Sequence, residues 1–383
     1  MARPTPFRGR LHAMRTVSLA LALAASAAAQ RTNDVVYTKA GAVLRGLEVT
    51  VFESTTVRGK QGTAPFSMPA AEVADVEWGD APPAFAQARL LLQRGEFRSA
   101  VQLFGDVQTL RPQVRADALH FQVEAAVAAI GDDKNAAATA ARHAHAFVNT
   151  HPTHFRTPRV RLLAGRAERL AGNHAAATRT LRALDERGDD NGLRPQLHVE
   201  ARFELGLCQR DAGDHSTARA TFQATTQLAT AALAERTAHH EAPALRSLHL
   251  LAQSAAAETF LSVSDWTAAE AAFQALTAAA DPASRAAGHA GLGETICRRG
   301  LAEPRLADLR RCQLELALAA MLDPTGGDPS AKANYWLGRC LLALGAEREG
   351  VNFRTRAHTY FQIVLDHYPG SRWAEPAATA ITR

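Results

Sequence analysis

Aromatic residues are scarce in this chain: 6% of it is aromatic although 47% is apolar, and alanine makes up much of the difference. Small apolar side chains let helices approach closely and do not supply the large inward residues of a thick β-sandwich. Cysteine is scarce as well, confined to Cys208, Cys297, Cys312 and Cys340. These four contain no CxxC pair and no dense disulfide framework. They read as small buried hydrophobes, with a Cys297–Cys312 bridge as the alternative. There is no glycine-rich phosphate loop, HExxH, GxSxG or acidic calcium loop, so the sequence implies no catalytic motif, no cofactor and no metal. No apolar run is long enough to span a bilayer.

Residues 1–29 have a character of their own. Arg3, Arg8, Arg10 and Arg15 accompany the apolar run 17–25, and Ala27, Ala28 and Ala29 precede Gln30. A basic start, a short apolar run and a small-residue site make a signal peptide, with Met14 as an alternative start. The expected location is outside the cytoplasm, periplasmic or associated with the outer envelope. Of the formal charge of +5, four belong to those arginines, which leaves about +1 for the mature chain. The basic pI therefore does not point to nucleic acid.

Residues 30–79 hold short β-branched runs (35–37, 49–52 and 73–78) punctuated by Gly41, Gly46, Gly59, Gly62 and Pro65. That spacing predicts a small antiparallel β unit. Its Lys39-x-Gly41-x-Val43-x-Arg45-Gly46 stretch resembles a hairpin of small SH3-like or Sm-like barrels. Residues 80–83 read as a linker.

From residue 84 onward the pattern is helical and repeats. Seven residues before Gly213 stands Gly206; five and nine after it stand Ala218 and Phe222. The same offsets from Gly172 give Gly165, Ala177 and Leu181; from Gly95, Ala88, Ala100 and Phe104; from Ser264, Ala257, Ala269 and Phe273. From Gly300 and Gly345 the corresponding residues are Cys312 with Leu316 and Ala357 with Phe361, seven residues late, which predicts an insertion in each turn. Region 116–152 is helical but irregular.

This spacing resembles tetratricopeptide (TPR) repeats. The resemblance implies a mainly α fold: an α-solenoid of about seven helical hairpins over 84–383, preceded by the β unit. In each hairpin a small residue on the first helix faces an alanine and a large apolar residue on the second. The closing segment 365–377 is similar to the end of such repeats in bacterial envelope proteins. The implied function is a non-enzymatic, exported scaffold that binds protein or peptide partners, with self-association through the terminal repeats a further expectation.

In such arrays the residue after the small first-helix position faces a concave groove. Here that selects Arg89, Arg166 and Arg339, with Arg159, Arg169, Lys332 and Tyr335 nearby on the same faces. These seven are the candidate partner-binding residues, suited to carboxylates of a peptide. The same offset gives Leu207, Glu258 and Glu294 in the middle units. An alternative reading makes Glu258 and Glu294 the acid–base pair of an envelope enzyme acting on polysaccharide or peptide. Asp214-His215-Ser216 spells a hydrolytic triad, but neighbours on one backbone cannot form its hydrogen-bond chain. In the repeat register it reads instead as a helix start.

Overall fold

The computed structural model describes residues 33–131, 133–189, 193–235, 241–303, 305–323, 326–345 and 352–382. The expected signal peptide lies outside these residues. No helix among the described residues is long and apolar enough to cross a membrane. The chain divides into two compact units, Met1–Ala171 and Gly172–Arg383.

The first unit opens with a small antiparallel sheet of β1 (Asp34–Thr38), β2 (Val43–Phe52), β3 (Thr56–Gln61), β4 (Ala64–Pro69) and β5 (Val73–Glu77), in the order β4-β3-β2-β1-β5. Period-two alternation turns Val36, Leu47, Val49, Val57 and Val76 inward, all of them buried. Five helices follow: α1 (Pro83–Gln93), α2 (Phe97–Gly105), α3 (Pro112–Ala128), α4 (Lys134–Thr150) and α5 (Thr157–Leu170). The inner face of the sheet packs in one continuous core with Phe85, Phe104, Val114 and Phe121 of α1–α3. The stretch expected as a linker at 80–83 thus joins two parts of one core. The region expected to be irregular is a regular hairpin, α3 on α4, turning through Gly131 at φ 52°.

In the second unit α6 (His174–Asp189), α7 (Pro195–Asp211), α8 (His215–Ala234), α9 (Ala242–Ser262) and α10 (Trp266–Thr277) lead to α11 (Pro282–Ala302) and α12 (Leu306–Leu322). Then come α13 (Asp328–Gly345), α14 (Phe353–His367) and α15 (Ala374–Thr382). Each helix packs on the next, and α7 also touches α9, α9 touches α11, and α11 touches α13. α7, α9, α11 and α13 therefore form the inner layer of the second unit.

The turns explain the register. Gly95, Gly172 and Gly213 lie in the left-handed region at φ 78°, 83° and 87°, where a glycine ends a helix without steric cost. Ser264 holds the same place at φ 58°.

The insertion expected in the α11–α12 turn is not in the turn. Three residues separate the end of α11 from the start of α12, as three separate α7 from α8. Measured from the packing residues, α11 runs four residues further past Gly293 than α7 does past Gly206, and α12 starts three residues further ahead of Cys312 than α8 does ahead of Ala218, about one helical turn each. Lengthening by whole turns keeps the packing faces in phase, so a turn insertion and a taller hairpin look alike in the sequence. In the last hairpin α13 runs to Gly345 and α14 starts at Phe353; residues 346–351 lie outside the described ones.

Candidate functional site

Of the basic residues expected to line a groove, those of the first unit are held by their neighbours. Arg89 on α1 reaches Asp75 of β5 at 3.2 Å and stacks over Phe121 at 4.9 Å. It ties helix to sheet. Arg159, Arg166 and Arg169 are half-buried on α5, and none of them is without a partner. Two arginines not singled out from the sequence do more. Arg111 meets Asp34 with both guanidinium nitrogens, and its Nη1 lies 2.7 Å from Asp80. Asp34 also accepts from the backbone N–H of Val49 at 2.8 Å and of Gly79 at 3.0 Å. Arg156 bonds Asp117 through Nε at 2.9 Å and Asp75 through Nη2, among Phe52, Phe121 and Phe155. Burial alone would disfavour the Arg156 charge; Asp117 and Asp75 outweigh it and raise its pKa.

The second unit arranges charge along its inner layer. Lys332 on α13 is 4% exposed rather than open to a groove. Its Nζ lies 2.7 Å from Glu258 on α9 and 3.1 Å from Glu294 on α11. Arg298 reaches Glu294 at 2.7 Å, and Arg372, just before α15, reaches Glu258 at 2.7 Å. The two glutamates of the enzyme alternative are thus brought together, each by the same ammonium. Burial would raise the Glu258 pKa, but Lys332 and Arg372 hold it well below the usual carboxylate range. Lys332 is disfavoured by burial in the same way and is held above the ordinary lysine value by Glu258 and Glu294.

Aromatic rings flank this network. Trp373 stacks on Tyr335 with centroids 5.3 Å apart, and Tyr335 is 7% exposed. Arg339 donates to the Tyr335 hydroxyl at 3.0 Å and lies over the Trp336 ring at 5.7 Å. On the far side of Tyr335 and Arg339 is an open cleft of about 870 Å³. Arg354 and His358 of α14, Glu375 and Thr379 of α15, and Asn352 add to its polar lining. Of the seven candidates, Tyr335 and Arg339 line this cleft.

The triad spelled at 214–216 is a helix start. Asp214 accepts from the Thr217 N–H at 3.1 Å and from Ser216 Oγ at 3.2 Å, and no His215 bond to either neighbour is present among the described contacts. Those hydrogen bonds, led by the one at Thr217, lower the Asp214 pKa. Asp265 caps α10 through Ala268 N–H in the same manner. His145 bonds Glu168 at 2.8 Å, and His154 is buried against Phe52 and Phe147.

The repeat register shows directly in close contacts. A Cβ added to Gly206 would stand 2.6 Å from the Phe222 ring, one at Gly338 2.5 Å from Phe361, and one at Gly293 2.6 Å from Leu316. In three hairpins the large residue of the second helix fills the hollow left by glycine on the first. The alanine positions Ala100, Ala177, Ala218, Ala269 and Ala357 are all fully buried. The array is TPR-like. A search with family models gives no match, and a search of curated proteins gives none either. Among solved structures, the chain is similar to the C-terminal part of a TPR repeat-containing protein from Cytophaga hutchinsonii. That likeness has 10% identity and a TM-score of 0.39, over 76% of this chain and 98% of that one. A Rap protein complexed with Competence and Sporulation Factor gives 12% identity and a TM-score of 0.42, over 78% and 75%. The quorum sensor NprR from B. thuringiensis gives 10% and 0.43, over 78% and 79%. With TM-scores below 0.5, the TPR-like assignment rests on the chain's own register and contacts.

One constellation in the TPR-like array escaped the sequence reading. Cys297, Cys312 and Cys340, expected as separate buried hydrophobes, meet in the core of the second unit. The signal was present in the register: Cys312 takes an alanine position, and Cys340 follows Gly338 by two.

Proposed function

We propose that this protein is an exported, non-enzymatic scaffold of the bacterial cell envelope that binds protein or peptide partners on its TPR-like array. The observation that carries this reading is the cleft beside the inner layer of the second unit. Among the described residues, Tyr335, Arg339, Arg354 and His358 line it with a single acid, Glu375. A planar guanidinium beside aromatic rings suits a peptide carboxylate flanked by apolar side chains. The carboxylate-pair enzyme is disfavoured by the same geometry. Glu258 is held deprotonated by Lys332 and Arg372, so it has no proton to give as a general acid near neutral pH. Export rests on the basic, apolar and small-residue order of residues 1–29.

Capture from envelope extract tests the binding half of this reading. The full mature chain is expected to retain a set of proteins that Arg339→Glu loses while its helical content is unchanged. Equal capture by both proteins contradicts it. For export, mass spectrometry of the protein from its native cells should place the mature N-terminus at Gln30. An intact residue 1–29 segment on the isolated protein contradicts that expectation.

A further inference from the structure

We propose that Cys297, Cys312 and Cys340 form a three-thiolate site for a soft monovalent d10 cation, Cu(I). The three come from three consecutive helices, α11, α12 and α13, and none has any exposed surface. Their sulfurs lie within 4.8 Å of one another, with Cys312 and Cys340 3.1 Å apart. The thiols of Cys312 and Cys340 both donate to the Leu309 carbonyl, at 3.3 and 2.9 Å. The repeat register shows that packing alone does not require this. Cys208 follows Gly206 by two residues, as Cys340 follows Gly338, yet it meets Thr178 Oγ1 at 3.4 Å and the His174 carbonyl at 3.3 Å and does not belong to the three-sulfur group. At the position of Cys312 other hairpins carry Ala218, Ala269 and Ala357, and at that of Cys297 they carry Arg210, Leu261 and Leu342. Three different register positions hold cysteine in the one place where they converge.

The donor set selects the metal. Three thiolates with no histidine or carboxylate in the cluster suit a soft cation. Structural zinc is almost always four-coordinate, whereas this buried cluster offers three ligands. A trigonal ion bonded at roughly 2.3 Å needs sulfurs about 4 Å apart, inside the 4.8 Å within which all three lie and wider than the 3.1 Å between Cys312 and Cys340. Binding sends three thiol protons to solvent and three sulfur lone pairs to the metal, with no change of oxidation state. Gln313 Nε2, 3.8 Å from the Cys340 sulfur, points its amide N–H at the resulting negative charge.

The test is an anaerobic titration of the reduced full-length chain with Cu(I) held by the chromogenic chelator bicinchoninate. The chain should remove one Cu(I) from the chelator and melt at a higher temperature when loaded. Cys297→Ser, Cys312→Ser and Cys340→Ser should each weaken binding by at least about tenfold, while Cys208→Ser leaves it unchanged. Copper-edge X-ray absorption of the loaded wild-type chain, which does not depend on any variant folding, should report three sulfur ligands. No transfer from the chelator, full retention in Cys297→Ser, or two sulfur ligands overturns the site. Tighter binding of Zn(II) in a parallel titration overturns the choice of Cu(I). So does freshly isolated protein about two mass units light from a Cys312–Cys340 disulfide.

Discussion

In the first unit, Arg111 and Arg156 are closed in between sheet and helices, with Asp34, Asp75, Asp80 and Asp117 around them. In the second, Lys332 and Arg372 gather carboxylates along the inner helices, and the neighbouring Arg339 reaches an open cleft. Both units pair basic side chains with carboxylates from distant elements. What differs is whether the last side of each cation is covered. A guanidinium met on every side by its own chain fastens one element to another. One left facing a cleft beside aromatic rings can take a ligand.

The largest effects should separate covered from open cations. Among the described residues, Arg156→Ala takes the only charged partner from the fully buried Asp117, leaving it the Trp78 indole N–H, and Lys332→Ala leaves Glu294, 2% exposed, to Arg298 alone. Each should cost about 3–5 kcal/mol in urea unfolding. A loss below about 1 kcal/mol for either would show that its network is not sealed.

Acid should then distinguish the units. Burial lowers the His154 pKa to about 4, so the folded first unit keeps this ring neutral while the unfolded chain protonates it near 6.5. The native state therefore gains nothing from acid there, and stability falls by about 1.4 kcal/mol per pH unit from about pH 6.5 toward pH 4. His154→Phe should reduce the total acid slope by that amount and leave the share of buried His120, whose pKa burial also pushes well down. An unchanged slope would remove His154 as its source. Glu258 behaves in the opposite order. Its folded pKa is depressed, so its contribution is complete above the ordinary carboxylate value of 4.5 and is lost only in stronger acid. The smallest effect belongs to Arg372, whose side chain is 49% exposed. Arg372→Ala should cost under about 1 kcal/mol by thermal unfolding, and a larger loss would show that the segment before α15 locks the inner layer.

Much of the helical fold was legible because it is local and periodic. The offsets from Gly95, Gly213 and Ser264 located hairpins whose alanine and phenylalanine positions are all buried. Helix starts at Phe97, His174, His215 and Trp266 follow the expected register. Partnership between distant charges was not legible. Arg89 looked like a groove residue because the offset places it on an inner face, but the offset cannot show that Asp75 covers it. Lys332 and Glu258 are 74 residues apart, and nothing periodic links them. The extra turn of α11 and α12 was read as a loop because helix lengthening by whole turns leaves the packing positions in register. The cysteine cluster was missed for the related reason that each residue was judged against its own helix, not against the two helices beside it.

The most direct test of the account compares the two kinds of arginine with one ligand. Peptides selected by the mature chain from a random library would be titrated against wild type, Arg339→Ala and Arg89→Ala. The account predicts acidic peptides whose affinity falls at least about tenfold, about 1.4 kcal/mol, with Arg339→Ala and stays unchanged with Arg89→Ala. Equal losses in both variants, or a loss confined to Arg89→Ala, would contradict it.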